Sequence, residues 1–262
     1  MGSKIDYKNI VKKLSPYNIK KGILYFKHYG AREFWIKLTE RFQKDDIDYN
    51  RWFANHRPTD EELDRQRRKV FGCAPVISIL VPVYNTPELF LKQMIQSVRE
   101  QTYSNWELCI ANANPANREV AEILRIAAKK DARIRIAEVP ENEGIAQNTN
   151  RALQIATGEF IALLDHDDLL APNALYEIVK AVNESKGAEV IYTDEDKVTT
   201  DLEEHFKPHF KPDFNLDLLR SNNYICHLFV AKRELVERVG GFRKEFNGAQ
   251  DYDLILRCTE KA

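Results

Sequence analysis

From residue 75 onward, short apolar segments alternate with longer amphipathic ones. The apolar segments are VISILVPV (76–83), WELCIA (106–111), RIRIAEV (133–139), EFIALL (159–164) and AEVIYT (188–193). They are rich in β-branched and aromatic residues, which is typical of buried strands. They recur roughly every 26 to 30 residues, which is the length of one strand-helix unit. This rhythm predicts an α/β fold with a mostly parallel central sheet and helices on both of its faces.

The segments between the strand candidates carry helix signals. Pro87 stands at a first-turn position behind Thr86, a candidate N-cap. The segment 118–130 places its apolar residues on one helical face. Gly158 is predicted to end the next helix as its C′ glycine, and Pro172 to open the one after.

Beyond Asp194 the rhythm is lost. The stretch HFKPHFKPDFNLDLLRSNN (205–223) reads as irregular and broken by proline, and YICHLFVA (224–231) reads as a strand. A short helix, a glycine turn at Gly240 and a last helix from about Gln250 follow, and we expect that helix to continue to the final residue, Ala262. An irregular lobe beside a parallel sheet often forms the second wall of a substrate cleft.

The first 74 residues differ from the rest, and we predict a helical, basic extension (1–74) before the main domain (75–262). A capping box joins Thr59 and Glu62. An apolar stripe at helical spacing is formed by Leu24, Ala31, Trp35, Leu38 and Phe42.

The extension and the main domain also differ in charge. The formal net charge is only −1, but residues 1–75 contain 17 Lys and Arg against 10 Asp and Glu. The extension either packs on the main domain with a solvated basic face or lies on an anionic membrane surface. No segment is apolar over the roughly 20 residues needed to cross a bilayer, and four scattered cysteines suggest reduced thiols. We therefore expect a cytoplasmic protein, peripheral on the inner membrane face if the extension binds lipid.

Three aspartates, Asp165, Asp167 and Asp168, follow the apolar segment 159–164. Ligands bind at the carboxyl ends of strands in such sheets, so this acidic loop is a candidate site. Carboxylate oxygens suit a hard divalent cation, which commonly also binds the phosphates of a substrate. A second acidic pair, Asp251 and Asp253, begins the last helix. Carboxylates there either cap the helix or supply a general base, and Asp253 fits the structural role better.

Four segments occur in order: SILVPVYNTPELFLKQMIQSVREQTYSNWELCIA, ENEGIAQNTNRAL, ATGEFIALLDHDDLLAPNAL and VGGFRKEFNGAQDYDLILRC. Together they resemble the successive motifs of the family 2 glycosyltransferases of the GT-A fold, from about residue 75 to the C-terminus. The resemblance implies inverting transfer of a sugar from a UDP- or dTDP-sugar, with Mn or Mg bound. It also implies a glycan or lipid-linked acceptor, in the synthesis of a bacterial surface polysaccharide, and no nucleic-acid partner.

The resemblance also implies roles for particular residues. Asp251 matches the catalytic base. Asp167 matches the metal ligand that bridges the two phosphates, and Asp165 faces the ribose or the metal. The remaining donor-binding positions are Pro82, Tyr84, Asn112 and Asn150.

The chain departs from the family pattern in three places. Asn112 and Ala113 replace a pair of aspartates, Thr149 replaces an arginine before Asn150, and the chain stops at Ala262, where we expect it to be shortened. These departures keep open an alternative, a non-catalytic nucleotide-sugar-binding module of a larger glycan-assembly protein. A nucleotidyltransferase would need a glycine-rich phosphate loop after the first strand, which VPVYNTPEL does not supply.

Several other polar residues allow more than one interpretation of their role. Asp194, Glu195 and Gln250 are candidates for substrate contact, although Asp194 and Glu195 suit a solvated loop equally well. His166 is expected to point away from the metal. His227, in an apolar segment, is expected to be a hydrogen-bonded core histidine.

Overall fold

The computed structural model describes residues 26–27, 30–32, 34–35, 48–185 and 187–262. Contacts divide the chain into two units, Met1–His56 and Arg57–Ala262. In the first unit the described part includes helix α1 (Tyr49–His56), where the rings of Tyr49 and Trp52 stack 5.6 Å apart. Ala31 and Trp35 of the predicted stripe are helical and exposed. Its other members, Leu24, Leu38 and Phe42, lie outside the described residues.

The second unit is an α/β domain whose strands and helices alternate over most of its length. Its helices are α2 (Asp60–Arg67), α3 (Glu88–Arg99), α4 (Arg118–Lys130), α5 (Ile145–Gln154), α6 (Ala174–Glu184), α7 (Leu216–Ser221), α8 (Arg233–Arg238) and α9 (Gln250–Thr259). Its strands are β1 (Ile77–Val83), β2 (Trp106–Asn112), β3 (Ile134–Glu138), β4 (Phe160–Leu163), β5 (Val190–Tyr192), β6 (Glu195–Val198), β7 (His205–His209) and β8 (Phe229–Lys232).

Six strands form the central sheet in the order β3-β2-β1-β4-β8-β5. The pairs among β1, β2, β3 and β4 are parallel, whereas β8 runs antiparallel to both β4 and β5. The mostly parallel sheet that the apolar segments predict is therefore confirmed. Because β8 is reversed, its first residues lie at the edge of the sheet where β4 ends.

The sheet is buried on both faces. Ile77, Ile79 and Val81 of β1 pack with Val98 of α3 and Leu124 of α4 on one side. Leu80, the residue between Ile79 and Val81, packs with Ala146 of α5 and Leu254 of α9 on the other face of the sheet. Successive side chains of a strand point to opposite faces, so a strand covered on both sides is largely apolar, as β1 is apart from Ser78.

Segment 66–75 packs against the rest of the second unit. The hydroxyl of Thr102 donates to Gln66 Oε1 at 2.9 Å, and the hydroxyl of Tyr103 donates to the carbonyl of Pro75 at 2.7 Å. The ring of Phe71 lies 5.2 Å from that of Tyr176. The capping box predicted at α2 is confirmed, because Thr59 and Glu62 exchange both hydrogen bonds. The predicted boundary between the extension and the main domain, at residues 74 and 75, stays a prediction.

Three predicted helix ends are wrong. Helix α3 begins at Glu88, with Pro87 at its N-cap position and no side-chain cap, so Thr86 does not cap it. Helix α6 begins at Ala174, behind Asn173 rather than at Pro172. Helix α9 ends at Thr259 and does not continue to the last residue.

Gly158 is likewise not a C′ glycine, because α5 already ends at Gln154. A Cβ atom on Gly158 would lie 2.5 Å from the carbonyl oxygen of Val76 and 2.6 Å from Ser78 Oγ. Glycine is needed there for close packing against the start of β1.

The stretch after β5 is more regular than its prolines suggest. Strands β6 and β7 pair as an antiparallel hairpin, with an irregularity between Glu195 and Lys197. In contrast, only the end of the segment 224–231 is a strand, since β8 begins at Phe229. None of the helices in the described part of the chain is long and apolar enough to cross a membrane.

Candidate functional site

The candidate site lies at the edge of the sheet where the parallel strands end. Val83 at the end of β1 pairs with Asn112 at the end of β2. Asp165 follows the end of β4 by two residues, and His227 precedes the reversed strand β8 by two residues. Strand order and direction therefore bring the acidic loop after β4 and the segment before β8 to the same edge.

Two of the three clustered aspartates meet a histidine there. One ligand atom each from Asp165, Asp168 and His227 lies within 4.8 Å of the others, and His227 Nε2 is 3.7 Å from Asp165 Oδ2. In the described residues, His227 Nδ1 is buried without a hydrogen-bond partner. Two carboxylates and an imidazole are a donor set that fits a divalent cation.

Partial burial and neighbouring charges shift the pKa values of this cluster. Burial raises the pKa of both Asp165 and Asp168 above the usual aspartate value, and His227 opposes that rise. The side chain of Cys226, with help from the two carboxylates, raises the pKa of His227 to about 9, although burial lowers it. Protons and a cation would therefore compete for this imidazole, because only the neutral ring can bind a metal.

Asp167 lies differently from its two neighbours. Its side chain is 57% exposed, and its carboxylate is 3.5 Å from Nδ1 of His166. The role of metal ligand implied for Asp167 stays a prediction. Its negative charge is one of the causes that raise the pKa of Asp165.

Asp251 stands on the first turn of α9. Its Oδ2 accepts a hydrogen bond from Asn223 Nδ2 at 2.9 Å. Its charge also raises the pKa of Asp165, as that of Asp167 does. Carboxylates from two distant parts of the chain therefore act on the same group.

Asp253 has a different environment, although it lies only two residues further along α9. It is buried and forms ion pairs with Arg243 and with Arg257, the latter at 2.6 Å. Burial would raise the pKa of Asp253, but the two guanidinium groups hold it below the usual value. Residues two apart point to nearly opposite sides of a helix. Asp253 therefore has a structural role, but as the partner of two arginines rather than as the predicted cap of the helix, which has no side-chain cap.

The predicted donor-binding residues of the first two strands lie at the same edge. Pro82 pairs with Ala111 near the end of β1, and Tyr84, directly after β1, is 46% exposed. Asn112 is fully buried, and its Nδ2 donates to Glu138 Oε2 at 3.0 Å. The Asn112 side chain therefore links the ends of β2 and β3.

Two other predicted residues are held by nearby main chain. The Asn150 amide donates to the carbonyl of Phe242 at 2.8 Å and accepts from its N–H at 2.9 Å. Gln250 Oε1 accepts from the N–H of Gly248 at 2.9 Å. The substrate contacts predicted for both residues stay predictions.

Asp194 and Glu195 belong to a set of contacts around Lys211. Asp194 Oδ1 accepts from the N–H of Lys211 at 2.7 Å. Glu195 Oε2 accepts from the N–H of His227 at 3.1 Å and lies 3.6 Å from Lys211 Nζ. No sequence pattern pointed to Lys211. The prediction that His227 is a hydrogen-bonded core histidine is wrong, because its ring is partly exposed and lies beside Asp165. Neither has a short-range motif, because the partners named here are 14 to 62 residues away along the chain.

A separate groove of about 960 Å³ lies between α3 and α4. It is lined by residues such as Ile95, Ile123 and Ile126 and includes none of the predicted site residues. The chemistry is therefore assigned to the edge of the sheet rather than to this groove.

A family model described as "Glycosyl transferase family 2" matches residues 78–240. Among curated relatives, "Uncharacterized protein y4gI" of Sinorhizobium fredii is 49% identical over 190 residues, covering 71% of this chain and 20% of the relative. "O-antigen biosynthesis protein RfbC" of Myxococcus xanthus is 36% identical over 214 residues, covering 81% of this chain and 17% of the relative. The chain therefore spans no more than a fifth of the length of these two proteins.

Solved structures share the fold. The mannosyltransferase PcManGT from Pyrobaculum calidifontis, in complex with GDP-Man and Mn²⁺, superposes with a TM-score of 0.52 at 22% identity, covering 75% of this chain and 57% of that chain. S. aureus TarS 1–349 in complex with UDP-GlcNAc superposes with a TM-score of 0.57 at 17% identity, covering 70% and 52%. The GT-A fold predicted for the main domain is confirmed.

Proposed function

Because this chain belongs to glycosyl transferase family 2, we propose that it transfers a sugar from a nucleotide-diphosphate donor to a hydroxyl group of an acceptor. We further propose a UDP- or dTDP-sugar as donor and a glycan or lipid-linked acceptor in bacterial surface polysaccharide synthesis. The name of the Myxococcus relative supports the polysaccharide. The donor complexes of the two structural neighbours support a nucleotide sugar.

The observation that carries the proposal is the convergence of acidic groups at the edge of the sheet. Asp165 and Asp168 lie beside His227, and Asp251 acts on Asp165 from a separate helix. A transferase of this kind needs a site for a diphosphate and a base for the acceptor hydroxyl. The acidic loop and α9 offer candidates for both.

We propose that a divalent cation, Mn or Mg, binds to Asp165, Asp168 and His227, with Asp167 as a further ligand. Such a cation would neutralise the charge that develops on the departing diphosphate. The exposed position of Asp167 suits contact with the substrate phosphates. Pro82, Tyr84 and Asn112 are proposed to hold the nucleotide.

Asp251 is proposed as the general base. Its Oδ2 is occupied by the amide of Asn223, which orients the carboxylate so that Oδ1 can take the proton of the acceptor hydroxyl. The acceptor oxygen then bonds to the anomeric carbon as the bond to the phosphate oxygen breaks, and the nucleoside diphosphate leaves. A single displacement of this kind inverts the anomeric centre.

Turnover of nucleotide sugars in the presence of Mn²⁺ tests the assignment of the base. Asp251→Asn should lower kcat at least 100-fold, because general base catalysis typically contributes about 10² to 10⁴. Asp217→Asn is the matched control, since Asp217 is an exposed aspartate near the start of α7. Equal rates for Asp251→Asn and the wild type would remove Asp251 from the mechanism. Donor binding without turnover in the wild type would favour a non-catalytic binding module instead.

A further inference from the structure

Lys211 is a buried cation directly behind the candidate site. Its side chain is only 1% exposed. Its Nζ donates to the carbonyl of Ile225 at 2.5 Å and to the carbonyl of His227, and it lies 3.6 Å from Glu195 Oε2. An ammonium group has three protons to donate, and here each faces an acceptor.

All of these acceptors belong to, or bind, the segment that carries His227. The same Glu195 oxygen that faces Lys211 accepts the N–H of His227 at 3.1 Å. The main chain of His227 is therefore held on both sides, its N–H by Glu195 and its carbonyl by Lys211. Asp194 in turn fixes the main chain of Lys211 through a 2.7 Å hydrogen bond.

Regular secondary structure does not hold this segment. Strand β8 begins only at Phe229, and Cys226 has a positive φ of 41°. Side chains therefore supply contacts that a strand would have made with its neighbours. Burying a lysine is unfavourable unless it is paired and hydrogen-bonded. A methionine would fill the same space without burying a charge. The presence of a lysine here therefore indicates a positioning role.

We propose that Lys211 is a positioning residue for His227. Together with Glu195, it fixes the main chain so that the imidazole faces Asp165 and Asp168. The inference rests on the proposed function in one respect, because it takes the imidazole as a ligand of the proposed cation. Lys211 itself is buried behind the histidine main chain and acts through His227.

The first test uses the metal-free protein. Histidine-specific ¹⁵N labelling gives imidazole signals by NMR, and His227→Ala identifies those of His227. Lys211→Met should shift or broaden the His227 ring signals, and Lys211→Gln, which keeps one donor group, should change them less. Lys197→Met, on the exposed side of β6, should leave them unchanged. Unchanged His227 signals in either folded Lys211 variant would overturn the proposal.

The second test measures Mn²⁺ affinity by electron paramagnetic resonance of the free ion. Changes in groups that orient metal ligands typically weaken binding by about 10-fold to 100-fold, so Lys211→Met should weaken it at least 10-fold. In a His227→Ala background, Lys211→Met should not weaken Mn²⁺ binding further, because Lys211 acts only through the imidazole that this background lacks. An equal loss in both backgrounds would contradict the positioning role.

The two tests separate this inference from the proposed function. If His227→Ala leaves Mn²⁺ affinity unchanged, the cation site proposed above is wrong. The NMR signals of the metal-free protein still decide whether Lys211 orients the imidazole, since that measurement involves no metal.

Discussion

Glu107 is the best example of a single side chain that joins several parts of the fold. It lies near the start of β2, at the end of the sheet opposite the candidate site, and is 7% exposed. It accepts hydrogen bonds from Ser78 Oγ at 2.7 Å, from the N–H of Thr157 at 2.5 Å and from Arg135 Nη1 at 3.0 Å. One carboxylate thus links β1, β3 and the loop before β4.

These contacts lower the pKa of Glu107 to about 2, although burial alone would raise it. The folded value lies below the unfolded value of 4.5, so the carboxylate contributes stability that is fully present above pH 4.5. That stability is lost as the pH falls through the folded pKa of about 2. The shift corresponds to about 3 kcal/mol, at roughly 1.4 kcal/mol per unit.

Glu107→Gln should therefore lower the free energy of unfolding by about 3 kcal/mol at pH 7. Because the protonated acid loses the same interactions, the gap between wild type and variant should narrow as the pH falls from about 4.5 towards 2. Urea denaturation at a series of pH values measures both effects. Glu141→Gln, at an exposed position, serves as control. A gap that stays constant with pH would mean that the Glu107 charge does not stabilise the fold.

At the scale of elements, α9 shows how a structural clamp and a candidate base share one helix. Arg257 pairs with Asp253 and also donates to the carbonyls of Val239 at 2.6 Å and Gly241 at 2.7 Å. This clamp joins α9 to the glycine turn after α8. Since Asp251 lies on the opposite side of the same first turn, the clamp also fixes the direction in which Asp251 points.

Asp253→Asn should lower the free energy of unfolding by about 2 to 3 kcal/mol, because breaking a buried ion pair leaves uncompensated charge. The figure is at the lower end for such pairs since Arg243 is half-exposed and keeps contact with water. Thermal and urea denaturation would measure the loss. Asp217→Asn, which removes only an exposed pair with Arg220, should change stability by less than about 0.5 kcal/mol. Equal effects of the two substitutions would rule out the clamp.

The elements also show what local pattern can and cannot predict. The strands of the parallel sheet were predictable because both faces are buried, which leaves an apolar segment such as ISILVPV in β1. The hairpin of β6 and β7 was missed because its residues are half-exposed and polar, with Pro208 inside β7. The segment before β8 looked like a strand by composition. Its actual conformation depends on Lys211 and Glu195, and no local pattern encodes such distant contacts.

The candidate site, too, was predictable from the sequence only in part. The acidic loop after β4 was predictable, because strand ends in a parallel sheet bind ligands and carboxylates favour cations. The cluster that Asp168 and His227 form with Asp165 was not predictable, since it depends on the reversed direction of β8. The roles of Asp167 and Asp251 remain predictions, and the Asp251→Asn substitution described above tests the second of them directly.

At the scale of the whole molecule, charge is unevenly distributed along the chain. Residues 4–44 contain 11 Lys and Arg against 3 Asp and Glu, whereas the chain as a whole has a net charge of −1. A basic segment near an anionic lipid surface gains about 1 kcal/mol per lysine or arginine, and salt screens the attraction over about 8 to 10 Å. Peripheral membrane binding through this segment is therefore a proposal that salt dependence can test.

We expect the full chain to sediment with vesicles that contain phosphatidylglycerol and to be released as ionic strength rises. Removing four charges should weaken binding at least 10-fold at low salt, since each contributes about 1 kcal/mol near the surface and a tenfold change requires only about 1.4 kcal/mol. The substitutions to glutamine are at Lys12, Lys13, Lys20 and Lys21. The control removes four exposed lysines of the second unit: Lys129, Lys130, Lys244 and Lys261.

The control has the same change in net charge, so a difference between the two variants isolates the position of the charges from their number. Equal weakening would show that the protein responds to overall charge alone, and binding that does not change with salt would exclude an electrostatic contact. Neutral phosphatidylcholine vesicles complete the test, because an electrostatic surface contact requires anionic headgroups. If the substituted full chain still turns over donor sugar at the wild-type rate in solution, the basic segment serves to localise the enzyme rather than to assemble its site.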